Sequence, residues 1–324
     1  MPDIERTDEG TEMLNYGGQA VIEGVMIRGE RSVAVAVRRP DGEIATQTTD
    51  LSALYRSPLR RVPLLRGILV LWETFALGIR ALTWAAGIAA DEVDEQGEPN
   101  PLGIAGWLTI LVALTIGVGI FFGGPVLLAA WLESYVTSSL AVVAIEGAIR
   151  VALLIGYIWL IGRSSEIERV FQYHGAEHMA IHAFEHRAIT AESLIGTNAG
   201  PPPVAAVRRF ERAHPRCGTS FLLTVAFVAV IVFALLGTPP LWWRLLSRIV
   251  FIPVVAAIAY EAIRFAGRHS SHWLVHWLFA ANLALQRLTT REPDDEQIQV
   301  AVSALGLAVA SDQAARTGAT AEPD

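Results

Sequence analysis

The sequence predicts a mainly α-helical, polytopic membrane protein: a four-span helical bundle with a small N-terminal β-rich cytoplasmic region and a helical cytoplasmic loop. Three observations carry that expectation. The 324-residue chain is 52% hydrophobic and only 18% charged, with a mean hydropathy of +0.41, whereas soluble domains carry about 25% charged residues. Four stretches stay apolar over the length a bilayer requires, about 20 residues. The arginines gather on one side of those stretches. The same composition excludes disordered, coiled-coil and collagen-like chains. A net charge of −7 argues against a nucleic-acid partner, which would call for a basic excess. The one cysteine, Cys217, excludes an internal disulfide framework.

In chain order, residues 1–14 are acidic and polar and lack the basic start and apolar core of a signal peptide, so a disordered tip is expected. Residues 15–60 read as a small cytoplasmic β region. AVIEGVMIRG and SVAVAVRR are its strands, joined by a GER turn, and Asp41-Gly42 is a hairpin signal between apolar residues. Residues 61–100 read as an interfacial helix and an acidic linker. In that helix, over 67–90, Arg66, Glu73 and Arg80 recur every seven residues as one polar stripe.

Residues 101–161 form the first transmembrane hairpin, with spans 104–132 and 140–161 and a Gly-Gly-Pro break at Gly123–Pro125. Residues 162–218 are a His-rich helical loop. In it Ser165-x-x-Glu168 is a capping box opening a helix to about Arg187, and a second helix is expected over Val204–Ala213. Residues 219–266 form the second hairpin, with spans 219–236 and 249–266. Its connection, GTPPLWWRLLSR, carries two Trp suited to the interfacial belt. Residues 267–311 hold cytoplasmic or interfacial helices. One is the apolar Trp273–Leu288; the other, over 294–309, puts Ile298, Ala301, Val302, Leu305 and Val309 on one face. Residues 312–324 are expected to be a disordered tail.

Orientation follows from the arginines. Arg56, Arg60, Arg61 and Arg66 precede the first span, the central loop carries Arg163, Arg169, Arg187, Arg208, Arg209, Arg212 and Arg216, and the 133–139 connection has none. The positive-inside rule then gives a multi-pass protein of the plasma (inner) membrane, N-in/C-in. A fifth crossing at 67–90 would separate the two basic regions, so that helix is placed at the interface or against the bundle. Inside the spans, Glu146 stands four residues before Arg150 and Glu261 lies near Arg264. Each reads as a locally neutralised pair, or as a functional group, since intramembrane charge is costly.

The central loop concentrates the chemistry. His174, His178, His182 and His186 recur every four residues. Each step drifts by about 40° around a helix, so neighbouring pairs share a face. His174-Gly-Ala-Glu177-His178 is an H-x-x-E-H pattern, in which two imidazoles one turn apart can hold a cation while the carboxylate serves as general base. His182-Ala-Phe-Glu185-His186 repeats that spacing. The competing reading is a solvated polar face. For a third ligand the best source is His214-Pro-Arg-Cys217, an imidazole and a thiolate in a Pro/Gly turn before a membrane entry. Cys217 reads equally as a small buried hydrophobe, and Arg216 as an interfacial charge or an anion contact. His269, His272 and His276 sit among Trp273 and Trp277, which favours an interfacial role.

YGGQAVIEGVMIRG (16–29), RVPLLRG (61–67), FQYHGAEH (171–178), HPRCGTSF (214–221) and LTTREPDDEQ (288–297) resemble the signature blocks of the YqhQ-like family of bacterial membrane proteins, often labelled metal-dependent enzymes. The resemblance implies His174, Glu177, His178, His214 and Cys217 as site positions and draws attention to Glu23, Arg291, Glu292 and Asp294. His182 and His186 fall outside the matching blocks.

Two functional classes remain. In the first, Glu177 is catalytic, His174, His178, His214 and Cys217 hold a divalent metal, and the protein is a metal-dependent hydrolase at the cytoplasmic face. Zinc suits that donor set best, with iron or manganese as alternatives. In the second, the protein is a non-enzymatic scaffold, sensor or transporter-type protein with a structural metal, and Glu146, Arg150 and Glu261 would line a polar path. Four spans are few for a monomeric transporter, so that reading calls for a homo-oligomer. The lipid bilayer is the one partner both readings share.

Overall fold

The computed structural model describes residues 16–52, 58–93, 103–195, 203–214, 219–268 and 273–317. The expected tip, the acidic stretch 94–100 and His269 and His272 lie outside them. The N-terminal region is a four-stranded antiparallel meander of β1 (Gly17–Val21), β2 (Gly24–Arg28), β3 (Ser32–Arg38) and β4 (Ile44–Asp50). AVIEGVMIRG, expected as one strand, is two. It turns back at Ile22–Glu23 so that Val21 pairs with Gly24, with Glu23 at φ 51. An ion pair holds that strained turn: Arg169 Nε donates to Glu23 at 2.6 Å. The Asp41–Gly42 hairpin forms as expected, with Gly42 at φ 93.

Strand β3 explains the packing around the sheet. Its Val33, Val35 and Val37 face one way and Ala34 and Ala36 the other, and all are buried. A strand apolar on both faces needs a cover on both. The valine face packs on Ala81, Ala85 and Ile88 of α1 (Leu65–Ala89). The alanine face, smooth enough for close approach, packs on α12 (Asp295–Thr317), and α5 (Ser165–Glu185) covers β1 and β2 on the same side of the sheet. The sheet is thus the middle of three layers.

Of the other short elements, α7 (Val204–Val207) and the 211–214 segment flank α5, while α6 (Ala191–Ile195) packs on α12. Helix α7 is one turn, not the longer helix expected over Val204–Ala213. Helix α5 starts one residue off the expected box: Ser164 is its N-cap, and its carbonyl accepts from Glu168 N–H at 2.8 Å.

The apolar remainder is a helical bundle. It comprises α2 (Ile104–Val118), a π-helical turn (Gly119–Gly123), α3 (Gly124–Leu132), α4 (Ser139–Ile161), α8 (Thr219–Leu236), α9 (Leu241–Val250), α10 (Ile252–Arg268) and α11 (Trp273–Thr289). Among the described residues four helical stretches are long and apolar enough to cross a membrane: 65–89, 104–132, 139–161 and 295–316. In the last, α12, 56% of the most apolar window is buried in the protein, against 11% for 104–132. Helix α12 is therefore a core helix that only resembles a span in composition. The expected tail also begins later, because α12 runs to Thr317 and buried Asp312 accepts from Glu30 N–H (2.8 Å) and Arg31 N–H (3.0 Å).

The expected span 249–266 is bent by 50° between α9 and α10. Helix α9 is inside out. Arg244, Ser247 and Arg248 are buried while Trp242, Ile249 and Val250 face outward. Arg248 donates twice to Glu146, at 2.9 and 2.7 Å, and its guanidinium lies 4.1 Å from the Phe233 ring centre. Arg150 reaches Glu146 as expected, at 2.9 Å. Glu261 pairs with Arg66 (Nε–Oε1 2.6 Å), not with the Arg264 expected from sequence. The stripe on α1 accordingly splits: Arg66 takes Glu261, Glu73 takes Arg28 at 2.7 Å, and Arg80 is exposed. One helix thereby ties the bundle to the sheet.

Leu305, fully buried at the centre of the sheet–α5–α12 core, gives the direct test of this packing. Leu305→Ala is expected to cost about 2–5 kcal/mol, as buried leucine truncations do, and Arg80→Ala no more than about 0.5 kcal/mol. Unfolding midpoints in detergent check both.

Candidate metal centre

Helix α5 carries opposite requirements on its two sides. Tyr173, Ala176, Ala180 and Ala183 are buried in the three-layer core. Repeating at four residues, His174, His178, His182 and His186 line a different side, toward 211–214 and the end of α11. The acidic residues Glu166 and Glu168 occupy its first turn, where the helix dipole favours them.

Each imidazole is oriented by a main-chain carbonyl. His174 Nδ1 lies 2.8 Å from Thr289 O and His182 Nδ1 3.0 Å from Glu211 O, while His178 Nδ1 contacts Arg212 O. A carbonyl only accepts, so Nδ1 carries the proton and donates, and Nε2 is left with its lone pair. Burial pushes the pKa values of His174 and His178 down, that of His178 to about 2, so both rings are neutral. Neutral rings with Nδ1–H tied to a carbonyl are the form in which histidines ligate metals.

Glu177 completes the set. Its carboxylate is 3% exposed, and Gly18 N–H of β1 donates to it. Burial nevertheless pushes its pKa up to about 8. Glu177 Oε2 stands 3.5 Å from His178 Nε2, too long for a hydrogen bond, and His178 Nε2 is a buried atom with no hydrogen-bond partner. Two donors that each bind one ion at about 2.0–2.2 Å sit a little over 3 Å apart. The separation of Glu177 from His178 suits that arrangement. His174, Glu177 and His178 offer ligand atoms that all lie within 4.8 Å of one another.

His214 is close by but engaged elsewhere. Its ring centre is 5.8 Å from that of His178 and 4.4 Å from that of His182, and its Nε2 is 3.2 Å from Glu185 Oε2. The third donor beside the His174–His178 pair is therefore Glu177, with His214 in the next turn's company. Cys217 lies outside the described residues. His186 turns its Nδ1 to His182 O at 2.9 Å and stacks near Phe210, as an end-of-helix contact.

The surroundings contain groups that sequence reasoning passed over. Gln286, fully buried, clamps the backbone of His214: its Oε1 accepts from His214 N–H at 2.9 Å and its Nε2 donates to His214 O at 2.8 Å. A glutamine in an otherwise apolar helical stretch was the signal available. The orienting carbonyls of Thr289, Glu211 and Arg212 leave no side-chain signature. The residues the family resemblance drew attention to have scaffold contacts. Arg291 N–H donates to Phe171 O at 2.9 Å, Glu292 pairs with Arg212 at 3.3 Å, and Asp294 and Gln297 cap α12 reciprocally at 2.8 and 2.9 Å. Glu23 anchors Arg169.

Gly175 lets this frame close. A Cβ there would lie 2.3 Å from Arg291 O, so the 289–291 segment approaches only because residue 175 has no side chain. Gly175→Ala should push Thr289 O away from His174 and, if the candidate set takes zinc, weaken that binding about 10–100-fold with both histidines intact, as loss of an orienting partner does. Competition against a chelator measures it.

The profile of a family described as a protein of unknown function (DUF1385) matches residues 62–311. The chain is 35% identical over 302 residues to the Uncharacterized protein YqhQ of Bacillus subtilis (strain 168), covering 89% of this chain and 90% of that one. No solved structure matches.

Proposed function

This chain belongs to the DUF1385 family, and from its own geometry we propose a multi-pass membrane protein that binds a divalent metal at the cytoplasmic face and uses it for hydrolysis. The buried, unpartnered His178 Nε2 beside Glu177, with His174 one turn away, is the observation that carries the reading. Two imidazoles and a carboxylate suit zinc best.

Packing supports the membrane arrangement. Residues 16–36, 173–189 and 298–309 share one core, so they lie on one side of a bilayer and an even number of crossings separates them. Segment 104–132 and α4 supply two crossings before α5, which leaves α1 as a helix packed on α10 and the sheet. Helix α8 and the bent α9–α10 pair supply two after it, which leaves α11 to return without crossing. The arginine distribution then puts the shared core in the cytoplasm.

A bound divalent ion supplies positive charge that polarises a substrate oxygen and acidifies water. The chain's own residues do the rest. Thr289 O and Arg212 O fix the two imidazoles, and Gly18 N–H fixes one end of the Glu177 carboxyl, whose proton, favoured by burial, a bound ion would replace. His174 is half-buried and is the more open member of the set, so substrate enters on its side. A structural ion is the second reading, favoured by exposures of 2% at His178 and 3% at Glu177.

Elemental analysis of detergent-purified protein should find bound zinc that His178→Ala loses. Glu177→Gln, which replaces the one anionic donor by a neutral amide, should weaken zinc binding and lower activity in a complemented deletion strain with it. Full complementation by Glu177→Gln with none by His178→Ala would make the ion structural. Reporter fusions after residues 60 and 190 should read as cytoplasmic, and after 136 and 240 as external. A reporter at 190 found outside would overturn the topology.

A further inference from the structure

Between α4 and the 104–132 segment runs an open groove of about 800 Å³. Ala113, Gly117 and Phe121 form one wall, Ala152, Gly156 and Leu160 the other, and the lining is almost wholly apolar. A Cβ on Gly117 or on Gly156 would meet nothing within 4 Å among the described residues, so no helix of this chain fills the space. Along α4 the groove extends from Ile149 to Leu160, about 17 Å at the α-helical rise. That is roughly the depth of one leaflet in a hydrocarbon core about 30 Å thick.

A charged corner closes one end. Arg163 lies just past the end of α4, two turns beyond Gly156 and so in line with it along the helix. Its guanidinium stacks 3.2 Å from the Trp159 ring centre, and Nη1 donates to Trp159 O at 3.4 Å. The residue is exposed, so stacking steadies the guanidinium while its outer edge stays open. Arg291 reaches the same corner, since a Cβ on Gly162 would lie 3.6 Å from its Nη2. Its Nη1 is occupied by the carbonyls of Arg287, Leu288 and Thr290 at 3.2, 3.3 and 3.0 Å. Among the described residues neither arginine has a carboxylate partner, unlike Arg150, Arg244 and Arg248 in the bundle.

From this groove and its charged end we propose a site for one anionic phospholipid of the leaflet nearer α5, cytoplasmic in the topology above. An acyl chain lies between α2 and α4, and the phosphate meets Arg163. Basic pockets between transmembrane helices on that side are where anionic headgroups bind, and the planar guanidinium matches phosphate geometry. A helix from a second copy would suit the apolar part alone. The 104–132 segment, the least buried of the apolar stretches, carries no acidic residue to answer Arg163.

The inference rests on the crossings proposed above and on neither metal nor hydrolysis. Reporters read the crossings and lipid retention reads the groove, so the two fail separately. The full chain in detergent is mixed with phosphatidylglycerol or with phosphatidylcholine of the same acyl chains, and native mass spectrometry counts the lipid kept per chain. Wild type should keep one phosphatidylglycerol in preference to phosphatidylcholine. Gly156→Leu fills open space, so it should lose that lipid with helical circular dichroism unchanged. Gly117→Leu fills the groove from the other wall and should do the same. Arg163→Gln should weaken phosphatidylglycerol retention about fivefold, the worth of one basic residue at an anionic surface, and leave phosphatidylcholine as it was. Wild-type retention in both leucine variants would overturn the groove as the lipid's seat, and an Arg163→Gln without effect would overturn the headgroup contact. A wild type that keeps no lipid, is dimeric, and turns monomeric in Gly156→Leu would overturn the lipid and give the groove to a second copy.

Discussion

The structure depends on one constraint: α5 is buried on one side against β1, β2 and α12, so whatever α5 carries on its other side is held rigidly. Val33, Val35 and Val37 require α1 beneath the sheet, and Ala34 and Ala36 admit α12 above it beside α5. Residues from the two ends and the middle of the chain share this core. The candidate donor set inherits the same rigidity. His174, Glu177 and His178 stand on a helix whose backbone is fixed by packing, and their rings are aimed by carbonyls from two other segments. Sites on such elements hold their geometry better than sites on loops.

The bundle handles charge by a related rule. Its buried arginines sit on carboxylates: Arg248 and Arg150 on Glu146, Arg244 on Glu133. Removing one member of such a buried pair costs about 3–5 kcal/mol, because the other is left uncompensated. The inside-out α9 makes sense only with apolar surroundings on its outer side, where Trp242, Ile249 and Val250 are exposed. The pairs Arg66–Glu261 and Arg28–Glu73 extend the rule along α1 from bundle to sheet. A change in bundle packing therefore has a mechanical route to the sheet that holds Gly18 over Glu177.

Much of this was legible in the residues, and the failures have physical reasons. Periodicity located the long helices and the buried face of α12, and Asp41–Gly42 located a hairpin. Composition alone makes α12 look like a span, but the one-face periodicity of Ile298, Ala301, Val302, Leu305 and Val309 already set it apart, and its burial agrees. The turn at Ile22–Glu23 was invisible since it lacks the usual Gly or Asn, and the strain at Glu23 is offset by Arg169, far along the chain. Glu261 was assigned to Arg264 by nearness in sequence, whereas Arg66 reaches it across the fold. At the candidate site the motif revealed His174, Glu177 and His178. The orienting carbonyls of Thr289, Glu211 and Arg212 carry no side-chain code.

The proposed centre on α5 would hold a metal through imidazole nitrogen and carboxylate oxygen. Zinc-edge X-ray absorption on the detergent-purified full chain reads those ligands. The expected result is a first shell of nitrogen and oxygen at about 2.0–2.2 Å with the outer-shell scattering of imidazole rings. A shell of sulfur alone at about 2.3 Å, or a protein that retains no zinc after purification in its presence, would contradict it.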